Sequence, residues 1–410
     1  MSKDVTQTMK SVGILAKAGG ASAMPQRELT GELLMLLAGL AALGALATNI
    51  ILPTFPRMAI DMGVAVKDLG ATLSSFFIAF ALGQLFIGPI SDRFGRKWLV
   101  LGGLITFSAG SAICIVATTL PQLIIGRIIQ AIGVCATSVL SRAVARDLFD
   151  GEKLARALSL IMIAIAAASG FSPLLGEAFN SLLGWRATFG VVGILAIALA
   201  VHYMARLGET HRTDNRSALS VPLVLTGYKQ LLLDRRFIAP ALSVGLVVGA
   251  LYTFFAMAPA ILMTGFGLSA LGLSVLFAST VFVVFAAGLL APRLARRWGQ
   301  VRVARAGIVI ALVGSIALLV GNENFHFFCV FLTVFLLGMG LVNPLGTAIA
   351  LHPFGKQAGA ASALLGFLQM GCAAGAIMIG GALSASAYTA MGLILTISLA
   401  VSFLTFLAVE

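Results

Sequence analysis

The sequence predicts an all-α polytopic membrane protein, with twelve transmembrane helices in two pseudo-symmetric six-helix bundles. Three observations predict it. The chain is 60% hydrophobic and 10% charged, with a mean hydropathy of +1.05, whereas soluble globular chains are about 45–50% apolar and roughly 25% charged. Nine blocks, the first at 33–56 and the last at 357–409, contain no Asp, Glu, Lys or Arg, and each is long enough to cross a bilayer as a helix. Sequence features also recur about 200 positions apart. A soluble enzyme, a disordered chain and a secreted disulfide scaffold are excluded. The blocks have helix lengths and no period-2 alternation, which argues against a barrel.

The spans follow from where the charges and turn residues fall. The first is predicted near 33–55, the second near 69–90. The block 98–126 breaks at 118–122, giving spans near 98–118 and 121–142, the latter continuing past Arg127. Spans near 154–178 and 187–205 complete the first half. In the second half, turn signals around 264–272 separate 237–263 from 270–291; then come 302–320 and 325–350. The last block breaks around 383–387 into 357–383 and 387–408. The domain reading is a cytoplasmic tail at 1–32, an amino-terminal bundle at 33–205, a cytoplasmic linker at 206–236 and a carboxy-terminal bundle at 237–410. The tail lacks the basic-then-apolar order of a signal peptide. The linker holds GETHRTDNRS and then an apolar stretch with Tyr228 and Lys229, expected to lie along the inner surface.

Charge sets the expected orientation. With the amino terminus inside, 23 Lys and Arg fall on the cytoplasmic side and three, Arg57, Lys67 and Arg186, outside, which follows the positive-inside rule. Both termini are expected in the cytoplasm. The net charge of +12 is spread over short segments, so it reflects topology and not a nucleic-acid surface. Cys114, Cys135, Cys329 and Cys372 fall in spans and read as small core residues. His326 and His352 lie near span ends. No His/Cys/Asp/Glu spacing suggests a metal, no cofactor is expected, and the absence of a Walker loop excludes ATP drive by this chain alone.

The two halves align at an offset of 204: Asp92-Arg93-Phe94-Gly95-Arg96 corresponds to Arg296-Arg297-Trp298-Gly299-Gln300. A duplication joined by a polar linker suits a two-bundle transporter with a cavity between the bundles. Gly88-Pro89-Ile90-Ser91-Asp92-Arg93-Phe94-Gly95-Arg96-Lys97 is the sharpest motif. Gly88 and Gly95 are expected to permit close approach and a tight turn, and Asp92 to pair with neighbouring arginines as a latch on the inner side. Its counterpart in the second half is Arg296. Arg127 opens Arg127-Ile128-Ile129-Gln130-Ala131-Ile132-Gly133 inside the fourth span. An arginine there costs at least about 2.5–3.5 kcal/mol on insertion scales and should face the interior or a cavity; snorkelling to the outer surface is the competing reading. Gly170-Phe171-Ser172-Pro173-Leu174-Leu175-Gly176-Glu177 marks a kinked fifth span; it resembles the antiporter motif of the major facilitator superfamily, an ordinary proline kink being the alternative.

These motifs, with Asn49-Ile50-Ile51-Leu52-Pro53 in span one and Ala361-Ser362-Ala363-Leu364-Leu365-Gly366 in span eleven, resemble the Bcr/CflA drug:proton antiporter branch of the major facilitator superfamily. The resemblance implies a bacterial inner-membrane exporter of small drug-like compounds, of the chloramphenicol or bicyclomycin kind, working by alternating access with proton antiport. Exporters of small metabolites such as amino acids, opines, sugars or siderophores are the alternative. Gly88, Asp92, Arg93, Gly95, Arg96 and Pro173 would serve gating. Asn49, Arg127, Gln130, Tyr252, Phe255, Asn343 and Gln369 are the candidate substrate contacts. The expected partners are a small-molecule substrate, protons and the lipid bilayer, with no nucleic acid and a monomeric state. One departure stands out. The branch carries a carboxylate where this chain has Asn49, and an amide cannot release a proton. Coupling through Glu177, Arg127 or His202, an uncoupled facilitator, and an introduced substitution are the open readings.

Overall fold

The computed structural model describes residues 30–211 and 221–409. Most of the amino-terminal tail and of the GETHRTDNRS segment lies outside the described residues. Among the described residues there are helices and no strands, and twelve helices are long and apolar enough to span a membrane. They are α1 Gly31–Met62, α2 Val66–Phe94, α3 Arg96–Val116, α4 Leu120–Leu148, α5 Gly151–Leu183 and α6 Arg186–Arg206 in the first half. The second half holds α7 Arg235–Gly265, α8 Ala270–Trp298, α9 Gln300–Val320, α10 Phe325–Gly355, α11 Ala358–Ala382 and α12 Ala387–Leu407. A linker helix, Val221–Leu233, lies between the halves. Ser269, Asn324 and Ser386 start α8, α10 and α12 by accepting backbone N–H bonds, which satisfies donors that have no partner inside the helix.

Every predicted span is a helix, but several helices outrun their predicted ends. The chain of α1 does not stop near 55. Its first helix closes at Asn49, a 3-10 turn at Leu52–Thr54 bends it, and a second helix runs over Phe55–Met62. Pro53 and Pro56 explain this, since each occupies a first turn where its missing N–H is harmless. Helix α5 continues to Leu183. Glu177, expected at the edge of its span, is therefore inside the helix, six residues before its end. Helix α4 runs to Leu148 and takes in Arg142, Arg146 and Asp147.

The halves repeat in three dimensions at the offset found in the sequence. Gly95 and Gly299 have φ of 94° and 86°, each reversing the chain between two helices, a conformation costly for any residue with a Cβ. Gly103 and Gly110 of α3 let it lie against the backbone of α4, and Gly307 and Gly314, 204 positions on, do the same for α9 against α10. A methyl group at any of the four would overlap the partner helix.

Between the halves, α2 packs along α11 and α5 along α8. Gln84 of α2 fills the space over Gly366 of α11. Ser274 of α8 donates to the carbonyl of Pro173 in α5 at 3.1 Å. At the end away from the linker, here the far end, the Phe55–Met62 helix of α1 packs on the Pro259–Gly265 turn that ends α7. At the linker end, Tyr228 of the linker helix donates to the Leu85 carbonyl of α2 at 2.8 Å. Its ring sits among Phe237, Ala361 and Leu365 of the second half.

Candidate functional site

The interior polar groups of the first half are built on α4 and the bend in α1. Asn49, 3% exposed, is the last residue before the bend, and its Nδ2 donates to the Ala45 carbonyl at 3.0 Å. Arg127 is fully buried and turned toward α1. Its Nη1 donates to the Ala47 carbonyl at 3.1 Å and to Gln130 Oε1 at 2.9 Å. The guanidinium carbon lies 4.3 Å from the centre of the Phe76 ring, a cation–π contact that offsets part of the cost of burial. Nε and Nη2 are buried without a hydrogen-bond partner. Gln130 passes the chain to α3 by donating from Nε2 to Ser111 Oγ at 2.7 Å.

An aromatic bridge crosses from this network to the second half. Phe76 and Phe77 of α2 have ring centres 6.0 Å apart, and Phe77 meets Tyr252 of α7 at 4.5 Å. Tyr252 lies 6.0 Å from Phe255, which lies 5.2 Å from Phe277 of α8. Phe255 is buried, while Tyr252, Asn343 of α10 and Gln369 of α11 are half-buried. The structure thus brings Arg127 and Gln130 together against α1 at Ala47, two residues along the chain from Asn49, and joins Tyr252 and Phe255 to Arg127 through Phe76 and Phe77.

The proton-coupling candidates are separated. Glu177 is half-buried, accepts from Asn180 Nδ2 at 3.4 Å, and follows Gly176, which packs on the Ile50 carbonyl one residue past Asn49. His202 is far from that group. Its Nε2 lies 3.4 Å from Glu32 Oε1 at the linker end, and Arg206 Nε reaches the same oxygen at 2.9 Å.

Of the gating candidates, Asp92 and Arg96 join a charged cluster at the linker end, whereas Pro173 lies in α5, its carbonyl accepting from Ser274 of α8. Arg96 donates from Nη1 to Asp92 Oδ1 at 2.6 Å, from Nε to Asp147 Oδ2 at 3.1 Å, and to Ser91 Oγ. Thr210 Oγ1 donates to Asp147 at 3.2 Å. Ser91, Asp92, Arg96 and Asp147 belong to the first half and Thr210 to the linker, so here the Asp92 pair ties helices of one bundle to each other. Arg93 is exposed, its guanidinium 5.3 Å from the Phe94 ring centre. Gly95 is required by its positive φ. The expectation of close approach fails at Gly88, where a methyl group would meet nothing within 4 Å.

Three carboxylates escaped the sequence reading. Asp147 resembles a loop residue until α4 is seen to extend over it. Glu209 accepts from the backbone N–H groups of Arg96 and Lys97 at 2.9 and 3.4 Å, holding the start of α3. Burial pushes its carboxyl up, but N–H donors of His211, Arg96, Lys97 and Thr210 outweigh this and hold it below the ordinary range. At the far end, Asp61 accepts from Trp185 Nε1 at 2.8 Å and lies 3.7 Å from Arg186 and 3.6 Å from Arg57. That cluster pins the bent end of α1 to the start of α6. Proximity alone reveals the partners far apart in the sequence, Arg96 for Asp147 and Glu209 and Trp185 for Asp61, whereas Arg57 stands four residues before Asp61 on one helix.

Comparison with known proteins now bears on this arrangement. The chain is 27% identical over 349 residues to Multidrug resistance protein D of Escherichia coli strain K12, covering 84% of this chain and 87% of that one. It is 30% identical over 288 residues to a Chloramphenicol resistance protein of Pseudomonas aeruginosa, covering 69% and 67% of the two chains. Its fold matches the crystal structure of a bacterial homologue of the human lysosomal transporter Spinster, with a TM-score of 0.72 at 17% identity, over 94% of this chain and 97% of that one. The family model described as Major Facilitator Superfamily matches residues 37–377, and with twelve helices among its described residues long and apolar enough to cross a membrane the chain belongs to that superfamily, as a multi-pass membrane transporter and not an enzyme.

Proposed function

We propose that this transporter exports small drug-like compounds, of the chloramphenicol or bicyclomycin kind, from the cytoplasm across a bacterial inner membrane by alternating access. The linker end faces the cytoplasm with both termini, as the distribution of Lys and Arg favours. The units that move as a monomer are 33–205 and 237–410. The observation that carries the reading is Arg127 holding α4 to α1 at Ala47, two residues from Asn49, beneath the aromatic bridge to α7. An apolar, aromatic lining with a few placed polar groups suits lipophilic compounds of drug size. Opening at the far end would part Phe77 from Tyr252 and Ser274 from Pro173. Names of relatives that speak of multidrug and chloramphenicol resistance support the same substrate class.

Proton antiport is the proposed energy source, with Glu177 the carboxylate nearest the bend of α1. A second reading, an uncoupled facilitator, is favoured by Asn49, whose amide cannot titrate. The test is efflux from proteoliposomes loaded with chloramphenicol, with and without an imposed pH gradient, alongside susceptibility of cells overproducing the protein. Accumulation against a gradient of chloramphenicol only when the pH gradient is present supports antiport. Equilibration at the same rate in both conditions supports the facilitator, and no movement at all overturns the substrate class.

A further inference from the structure

The charge inside the first half is one-sided. Every described carboxylate other than Glu177 lies within two residues of a helix end or outside the helices. Two arginines, by contrast, sit well inside α4. Arg127 is wholly enclosed, with two guanidinium nitrogens unpartnered, and its titratable neighbour is the Cys114 thiol. Arg142 lies fifteen residues further along the same helix, about 22 Å toward the linker end. It is half-buried, its charged neighbour is Arg146, and among the described residues it has no ion-pair partner.

The contacts along α4 show which way Arg142 faces. Gly126 and Gly133 lie against α3, and Arg127 and Val134 against α1. Cys135, whose thiol donates to the Phe80 carbonyl at 3.4 Å, lies against α2. Arg142 is two turns beyond Cys135 on the same face, which a helix repeats every seven residues. Helices α2 and α4 run in the same direction, so Arg142 is level with the stretch of α2 around Ile87 and Ile90, near its linker end. Arg142 therefore faces α2 near the linker end, and among the described residues no carboxylate forms an ion pair with it.

We propose that the path is selective by charge: it favours drug-sized compounds bearing a carboxylate or another negative group over lipophilic cations, and Arg142 is the side chain that meets that group on entry. This deepens the transport reading above and rests on it. An uncompensated cation in a low-dielectric wall raises the local concentration of anions and opposes a further positive charge. Arg142 offers a planar fork matched to a carboxylate, and the enclosed charge of Arg127 extends the same field deeper. A helix-one carboxylate would have cancelled part of it; Asn49 does not.

The test uses the purified full chain and one drug-sized fluorophore in three forms, a carboxylate, a neutral ester and an amine. Affinity is read by anisotropy in detergent, and transport separately in proteoliposomes. The carboxylate should bind at least about tenfold tighter than the amine, Arg142→Gln should bring that ratio to about twofold or less, and Arg142→Lys should largely preserve it. An amine bound as tightly as the carboxylate by the unaltered protein overturns the proposal without recourse to any variant. An unchanged ratio in a monodisperse Arg142→Gln protein overturns the role of Arg142. If the binding ratio holds but no form crosses the proteoliposome membrane, the transport reading fails and the anion site stands.

Discussion

Gly176 of α5 packs directly on the carbonyl oxygen of Ile50 in α1, and a methyl group in its place would overlap that backbone atom. Helix α5 can approach the bend of α1 only because this position carries no side chain, and the same approach brings Glu177 to the depth of Asn49. Gly176→Ala is expected to destabilise the protein by about 1–3 kcal/mol, the usual cost of overpacking, and to slow transport. Gly375→Ala, where a methyl group meets nothing within 4 Å, should leave the melting temperature in detergent within a degree or two of the unaltered protein, on the order expected away from packed sites. Equal melting temperatures for the two variants would contradict the contact.

Arg127 uses one nitrogen for two acceptors on different helices while its planar face stacks on Phe76. A lysine can replace the charge but not the stack and fork together. Arg127→Lys should lose transport by roughly ten- to a hundredfold, the equivalent of one charged hydrogen bond, and Arg127→Ala should lose it further. Normal efflux from Arg127→Lys proteoliposomes would show that the charge alone suffices.

The linker-end cluster should respond in a graded way. The Asp147 side chain is 18% exposed and also accepts from Thr210, whereas the Asp92 side chain is 50% exposed. Breaking a buried pair costs far more than breaking a solvated one. Asp147→Asn is therefore expected to lower thermal stability more than Asp92→Asn, with Arg96→Ala below both. The reverse order in a detergent melting series would place the structural weight on Asp92.

Much of this was legible in the sequence, and the reason is solvent. Lipid forces each crossing to be long, apolar and helical, so hydropathy located all twelve helices, and a lone arginine in an apolar run marked Arg127. Helix ends were less legible, because a charge stops a span and not a helix; α4 simply continues through Arg142, Arg146 and Asp147. The partner of Arg127 was beyond reach, since the Ala47 carbonyl is a backbone atom that any residue would supply. His202 is a related case: its titratable ring was legible in the sequence, but its register on α6, which places it beside Glu32, was not.

Acid should loosen the start of α3. Glu209 is held below the ordinary glutamate value of 4.5 by its N–H donors, so its contribution to stability is complete above that value and is lost as pH falls through the lowered one. A melting series from neutral pH downward should show a declining acid limb that Glu209→Gln makes shallower. Identical limbs would mean that other carboxylates carry the acid sensitivity.

Asn49→Asp places a group that can take up and release a proton at the bend of α1, two residues along the chain from the Ala47 carbonyl that Arg127 holds. The variant is expected to make efflux pH-dependent and sensitive to uncouplers, or more so than in the parent protein, as measured in proteoliposomes with an imposed pH gradient. If the parent already concentrates chloramphenicol and the aspartate adds nothing, coupling lies elsewhere, and Glu177→Gln becomes the informative variant.

The matched glycines of α3 and α9 mean that both halves keep one skeleton, while their charges have diverged, with Arg296 standing where the first half has Asp92. The halves meet mainly through apolar side chains at both ends, Phe77 on Tyr252 toward the far end and Tyr228 among Phe237, Ala361 and Leu365 at the linker end. The ion pairs of Arg96 with Asp92 and Asp147, by contrast, lie within the first half. Dissolved salt screens ion pairs and spares apolar contacts, and cooling weakens apolar contacts in particular. Temperature should accordingly act on the meeting of the halves, and ionic strength on the firmness of the first half itself.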